Sequence, residues 1–399
     1  MGSKISQQDL TLIVAKLIAK YGAQINQAKL AVRLGTSQPT ISRAIASAKA
    51  QNLLIEAYRF SGELSPTAEA VVAQFERNVP ALLTALQGLE IDQDEIALHE
   101  IEVLDNSLVP DDGQSETDHN QFGAGVGAVL TRWLSGADKI GVTWGGGVFH
   151  ATKNIDFEHF DGSAPVFYPT CGNLRTGRGQ YTSTAIADSV NERAGTDRGL
   201  FRANALGLNA FIPFEYASDD DERVKFAEIM LESSAAYRNV LGGYLNRPDE
   251  YPAGVFGTVV TGAGQDGAPF GHNLQDFLKI VTPRGPDLTA RIAVNHEKIK
   301  RWFVGEFAGN LLLSGEKLTP EEQREARVMQ DIWTGIRLKN IRIIAQRANG
   351  RTRKGVIALG SGAERAKTLL QAIRFGLVSR LVIDRALFDA LNHLATTAR

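Results

Sequence analysis

Apolar residues near the start of the chain recur at helical spacing. Leu10, Ile13, Val14, Leu17 and Ile18 line one face of a helix expected over residues 8–20. A shorter helix is predicted from Gln27 to about Leu34, with Leu30, Ala31 and Leu34 turned inward and Gly35 closing it. Thr36 or Ser37 is placed to cap a third helix that reaches about Asn52. Pro39 falls in its first turn, where a missing N–H costs least.

Residues 61–120 read as a transition. "LSPTAEAVVAQFERNVPALLTALQGL" has helical character, a capping signal at Ser65-Pro66 and an internal Pro80 that should break or kink it. "EIALHEIEVL" alternates like a strand, and the polar, acidic "NSLVPDDGQSETDHNQ" is expected to be a surface loop.

Beyond Phe122 one arrangement repeats. A helix, "FGAGVGAVLTRWLSG", leads to the strand "DKIGVTW" and to Gly145-Gly146-Gly147. The apolar strand "APVFYPT" leads into "CGNLRTGRGQYTST", and "GVFGTVVTGAG" ends at Gly262-Ala263-Gly264. "KGVIALGSGAERAKTLLQAIRFGLVSRLVIDRAL" supplies strand, Gly360-Ser361-Gly362, helix and strand again. Strands alternating with helices predict an α/β fold with a doubly wound, mostly parallel sheet. Ligands of such sheets sit at the carboxyl ends of the strands, where these glycines fall. A glycine turn at a helix start exposes backbone N–H groups that can nest an anion. Each turn alone is weak evidence, because tight strand–helix turns need glycine anyway; four on one sheet point to a ligand cleft.

The first sixty residues carry a further pattern. Ala31, Gly35 and Ile41 have the spacing of a helix-turn-helix: a small residue at the crossing, glycine in the turn and an aliphatic residue locking the second helix. The face of that second helix offers Ser37, Gln38, Thr40, Ser42, Arg43 and Lys49. Gln and Arg can pair with base edges, while Ser, Thr and Lys can hold phosphates. The plainer reading is a three-helix bundle capping another domain.

Charge favours the first reading. The net charge of −2 conceals eight basic against two acidic residues in 1–60, a local +6 that leaves −8 for the rest. A basic head on an acidic body suits a module that meets duplex DNA. Residues 1–60 are therefore read as a helix-turn-helix domain, 61–120 as a linker helix and the start of the effector domain, and 121–399 as the α/β effector-binding domain.

Composition excludes several classes. With 399 residues, 43% of them hydrophobic and 22% charged, the chain resembles an ordinary globular protein of two or three domains. No signal peptide and no membrane-spanning run is legible, and the single cysteine, Cys171, fits a reducing compartment; a cytoplasmic protein that meets no membrane is expected. Seven scattered histidines form neither an HExxH helix nor a Cys/His cluster, so neither a metal nor a cofactor is expected.

The segments "QAKLAVRLGTSQPTISRAIASAKAQNLL", "IGVTWGGG", "PTCGN", "VVTGAG", "FVGEFAGNLLLSGE" and "IALGSGAERAKTLLQAIRFGLVSRLVID" resemble, in this order, SorC-type transcriptional regulators. The resemblance covers nearly the whole chain. It implies a bacterial regulator of a sugar-use operon, with an effector domain related to sugar-phosphate isomerases and deaminases. It also implies assembly as a dimer or tetramer and a phosphorylated sugar or polyol as effector. By position it implies effector contacts at Gly145, Gly146 and Gly147, at Gly172 and Asn173, at Gly262, Gly264, Gln265 and Asp266, and at Glu306 and Arg365. Three departures stand out. Gly147 replaces a threonine hydroxyl, Glu306 stands where Asp is usual, and Arg365 where Lys is usual; arginine binds as a planar fork and forms no Schiff base. The chain is also longer than most such regulators, around 174–184, 265–300 and a helix expected from Pro320 to Asn340. Arg175 and Arg178 in the first of these segments are either anion-binding or solvated loop cations.

Two alternatives remain at this stage. One is an isomerase- or deaminase-like enzyme with an added head, for which Asp266, Glu306 and His272 are the acid–base candidates; His150 is a proton shuttle or a capping side chain. The other keeps the regulator but gives it an unphosphorylated sugar or polyol, with Asp266 and Glu306 accepting from its hydroxyls.

Overall fold

The computed structural model describes residues 5–21, 25–55, 59–60, 62–76, 79–89, 97–105, 117–160, 163–172, 179–196, 211, 257–282, 286–315 and 317–397. Helix α1 spans Gln7–Tyr21, α2 Gln27–Arg33 and α3 Gln38–Ala50. Asn26 caps α2 by accepting from the Lys29 N–H, and Ser37 caps α3 by accepting from the Thr40 N–H. Leu30, Ala31, Ile41, Ala44 and Ala48 are buried against α1, so α2 and α3 form the expected helix-turn-helix. A small antiparallel pair follows, β1 (Leu54–Ile55) with β2 (Arg59–Phe60).

The stretch containing Pro80 forms two helices, Pro66–Glu76 and Val79–Gln87. Strand β3 (Glu100–Leu104) then opens a six-stranded sheet completed by β4 (Lys139–Val142), β5 (Val166–Pro169), β6 (Thr258–Gly262), β9 (Gly355–Gly360) and β10 (Arg380–Asp384). The order is β3-β10-β9-β6-β4-β5 and every pairing is parallel. From β4 the chain crosses outward to β5, and from β6 it crosses the other way to β9. The reversal lies between β4 and β6, which is where a doubly wound sheet opens a crevice at its carboxyl edge.

Alternation along the strands divides the core. Val142, Val260, Leu359 and Val382 pack with the helices Thr117–Leu134, Gly146–Lys153 and Ser183–Arg193, and the same cluster continues into α1. Val259, Val356, Ala358, Leu381 and Ile383 face the opposite way, toward the helices Val79–Gln87, Leu338–Gln346, Ala366–Arg374 and Arg385–Thr397. Both faces are thus apolar, as parallel strands covered on two sides require. A third cluster gathers Trp144, Cys171, Phe211, Phe270, Phe277, Trp302 and Trp333. Beside it lies the antiparallel hairpin of β7 (Phe303–Phe307) and β8 (Asn310–Leu313).

Two expectations are corrected. The helix placed from Pro320 to Asn340 is two helices, Pro320–Asp331 and Leu338–Gln346. Trp333 causes the break: it is buried in the aromatic cluster, its indole N–H donates to the Ile336 carbonyl at 3.0 Å, and the Ile336 N–H is taken by Thr170. The polar stretch read as loop over 106–121 is helical from Thr117 onward, and 106–116 lie outside the described residues. Among the described residues no helix is long and apolar enough to cross a membrane, and no group of three or more His, Cys, Asp or Glu side chains could hold a metal ion.

Candidate functional site

On the helix-turn-helix, Gln38, Ser42, Arg43 and Lys49 are exposed, whereas Thr40 is half-buried. Ser37 serves the fold: its hydroxyl caps α3 and lies 2.8 Å from the Thr40 hydroxyl. Arg43 lies across its own first turn, with an N–H 3.3 Å from the Thr40 hydroxyl and its Nε donating weakly to the Pro39 carbonyl. The remaining N–H groups of its guanidinium, on the exposed face of α3, are suited to a guanine or a phosphate.

At the sheet, four expected turns come together through named contacts. β4 runs through Thr143 and Trp144 into Gly145, whose φ of +115° suits glycine and whose N–H donates to the Tyr181 carbonyl. Gly146 and Gly147 begin the helix to Lys153, and a Cβ built on any of the three glycines would meet none of the described residues within 4 Å. Among these residues the turn is open on that side. Thr143 is tied to the neighbouring strand by a 3.0 Å contact between its hydroxyl and that of Thr261.

After β6, Gly264 donates its N–H to the Glu306 carbonyl on β7, and Ala263 bridges Phe307. The Glu306 side chain is only 6% exposed; one oxygen accepts from the Phe270 N–H at 3.0 Å and the other from the Trp144 indole at 3.4 Å. Burial pushes its carboxyl above the usual carboxylate range, against those bonds, the Gly309 N–H and the Arg365 charge. Trp144 in turn meets Phe270 and Trp333 edge-on, with ring centroids 6.0 Å and 5.1 Å away. Glu306 therefore anchors a packed aromatic wall behind the glycine turn. Trp144, Phe270 and Trp333 were not singled out as site residues in the sequence; only the position of Trp144 beside the glycines hinted at one of them.

Asp266 departs furthest from expectation. One of its oxygens accepts from the Thr368 N–H and hydroxyl, each at 2.8 Å, and the other from the Lys367 N–H at 3.1 Å. It thus caps the helix Ala366–Arg374 from a loop about one hundred residues away in the chain. Its own N–H donates to the Glu364 carbonyl at 2.7 Å. Gln265 is exposed beside it and bridges Ala268. Arg365 folds back on its turn, donating to the Ser361 carbonyl and pairing with Glu364. Asp384 accepts from the Ser361 hydroxyl at 2.8 Å and the Gly362 N–H at 3.0 Å.

Gly172 is buried after Cys171, near β4 through Thr170, whose N–H reaches the Val142 carbonyl. Asn173, Arg175 and Arg178 lie outside the described residues, as does the side chain of His272. His150 is buried and stacks against Phe149 and Tyr181.

The sheet edge is joined to the head. Arg33 on α2 pairs with Asp105 at the end of β3, Arg385 approaches the same carboxylate at 3.6 Å, and the Asp105 N–H donates to the Tyr21 hydroxyl. Lys20 pairs with Glu102 at 3.3 Å, and Arg132 donates to the Ala19 and Lys20 carbonyls.

No family model and no curated protein matches this chain. Among solved structures it is similar to the full-length sorbitol operon regulator SorC from Klebsiella pneumoniae, with a TM-score of 0.50 and 16% identity over 96% of this chain and 99% of that one. A transcriptional regulator from Streptococcus pneumoniae TIGR4 gives a TM-score of 0.49 at 16% identity, over 80% of this chain and 98% of that one. A DeoR family transcriptional regulator from Listeria monocytogenes gives 0.48 at 13%, over 74% and 94%. The likeness to the Klebsiella structure extends over both chains almost end to end, and what it shows is a common fold: a helix-turn-helix head on a parallel α/β body.

Proposed function

We propose that this protein is a DNA-binding transcriptional regulator of a carbohydrate or polyol catabolic operon, controlled by a small effector at the carboxyl edge of its sheet. Residues 1–60 act as the DNA reader, 61–120 as a linker helix and the start of the effector domain, and 121–399 as the effector-binding domain. The observation that carries the reading is the junction at Asp105, where the reader's second helix is fastened by Arg33 to a strand of the ligand-bearing sheet. The shared fold with a sorbitol operon regulator supports it.

Operator DNA is read by pairs of α3 helices set about 34 Å apart or a multiple of that, so a homo-oligomer, dimer or tetramer, is the working form. The effector acts by binding one arrangement of the heads better than another. Catalysis is disfavoured by the bonding of two of the three acid–base candidates, Asp266 and Glu306. Asp266 is committed to a helix end and Glu306 to Phe270 and Trp144, so neither is poised to take a substrate proton. A mobility shift on DNA upstream of the protein's own gene, with and without sugars and polyols, tests both halves. A purified protein that ignores duplex DNA, or that turns over a sugar phosphate, overturns the reading.

A further inference from the structure

The helix Ala366–Arg374 follows a glycine turn at the carboxyl end of β9, the place where such a fold presents free N–H groups to an anion. Here those groups are spoken for from within the chain. The Lys367 and Thr368 N–H groups and the Thr368 hydroxyl are bonded to Asp266, and the Gly362 N–H and Ser361 hydroxyl to Asp384. Arg365, the cation of the turn, is bonded to the Ser361 carbonyl and to Glu364. A phosphoryl group arriving here would meet the carboxylates of Asp266, Asp384 and Glu364, with the N–H groups of Gly362, Lys367 and Thr368 and the hydroxyls of Ser361 and Thr368 already used. Like charges repel, and the three donors of the helix end cannot serve two anions.

We propose that Asp266 is a specificity-determining residue of the effector site. Its carboxylate holds the position at the helix N-terminus that a phosphoryl group would otherwise take, and the effector is an uncharged sugar or polyol. The inference rests on the reading of the sheet edge as a sugar or polyol site. It reverses the phosphorylated effector that the sequence resemblance implies. Hydroxyl groups, which both donate and accept, can meet backbone N–H groups and carboxylates together; a phosphate cannot.

The test uses the full-length chain as wild type, Asp266→Ser and Asp266→Asn. Serine retains a capping hydroxyl but removes the charge, and asparagine keeps the shape. Each is melted in inorganic phosphate against chloride at equal ionic strength, and then with paired free and phosphorylated sugars and polyols. Wild type is expected to be blind to phosphate and stabilised by free compounds only. Asp266→Ser is expected to gain a phosphate-dependent rise of about 2 °C or more. Folded Asp266 variants that stay blind to phosphate overturn the proposal. So does a wild type stabilised by a phosphorylated compound through Arg365, shown by loss of that effect in Arg365→Ala; this measurement stands even if neither Asp266 variant folds. The mobility shift on the same preparations separates the two readings. A wild type that fails to bind DNA ends the regulator reading, while the phosphate response of the variants is scored without DNA or effector.

Discussion

Arg33, on α2, the helix that precedes α3, forms an ion pair with Asp105, the residue that follows the edge strand β3. The pair spans 72 positions of sequence and crosses from the basic head to the acidic body. Its carboxylate side is buried and its guanidinium side about one-third exposed. Because Arg385 lies close enough to compensate in part, a double-mutant cycle on Arg33→Ala and Asp105→Asn should return a coupling of about 1 kcal/mol in chemical unfolding. Asp105→Asn should still bind operator DNA but lose most of the effector's influence on that binding. An unaltered effector response in the variant removes Asp105 from the connection.

DNA affinity should depend on Arg43. It is exposed on α3 and, among the described residues, pairs with no carboxylate; Arg43→Ala should weaken operator binding by about 1–3 kcal/mol if the side chain reads a base. If it holds only a phosphate, binding falls evenly across sequences and the salt dependence becomes shallower. Mobility shifts on specific and scrambled duplexes at two salt concentrations distinguish these outcomes. No change on either duplex would take Arg43 off the reading surface.

The glycine turn separates strain from contact. Gly145 has a φ of +115°, so Gly145→Ala should cost about 1–3 kcal/mol of stability through backbone strain alone. Gly147 is at the start of a helix, with none of the described residues within 4 Å of its missing Cβ. Gly147→Ala should therefore leave stability unchanged or raise it by about 0.4–1 kcal/mol, yet weaken the effector by filling that space. Urea melts and ligand-induced thermal shifts on the pair measure both; undiminished ligand response in Gly147→Ala would place the effector elsewhere.

Glu306 gives the protein a pH signature. Its carboxyl titrates above the ordinary value of 4.5 in the folded chain because burial disfavours the charged form. The folded state then holds a proton that the unfolded state has released. The stabilisation is complete below 4.5 and is lost as pH rises through the higher folded value. Glu306→Gln should abolish that downward slope in stability against pH, at the expense of one hydrogen bond, since Phe270 and Trp144 donate to different oxygens and the amide replaces one of them with a donating NH2. An unchanged slope in the variant assigns the effect to another group.

Cys171 is buried, and desolvation pushes its thiol up to about 12. A thiol reagent at pH 8 should label it at a negligible rate in the native protein and fully in denaturant. Rapid native labelling would show that the aromatic cluster around it opens.

Strand and helix order was legible because parallel strands are apolar on both faces, and β4, β6 and β9 also lead into glycines, so these strands and β10 stand out from the helices between them. The reading head was legible from Ala31, Gly35, Ile41 and the local excess of lysine and arginine. The role of Asp266 was not. A carboxylate in a loop looks the same whether it awaits a ligand or caps a helix about one hundred residues further on, and only the fold brings Thr368 to it. Asp105 and Arg33 were hidden for the same reason. The break at Trp333 was missed because capping signals show where helices begin, whereas an indole seeking burial leaves no periodic trace.

Helix Thr117–Leu134 touches helix Gly146–Lys153 where Gly123 faces His150 and Gly127 faces Asn154, so closely that a Cβ on either glycine would collide with its neighbour. Two rods pressed backbone to backbone have no compliant layer of side chains between them to absorb a displacement. One rod starts at the open glycine turn and the other carries Arg132 to the last carbonyls of α1. A displacement of the glycine turn would meet no yielding layer on its way to the end of α1.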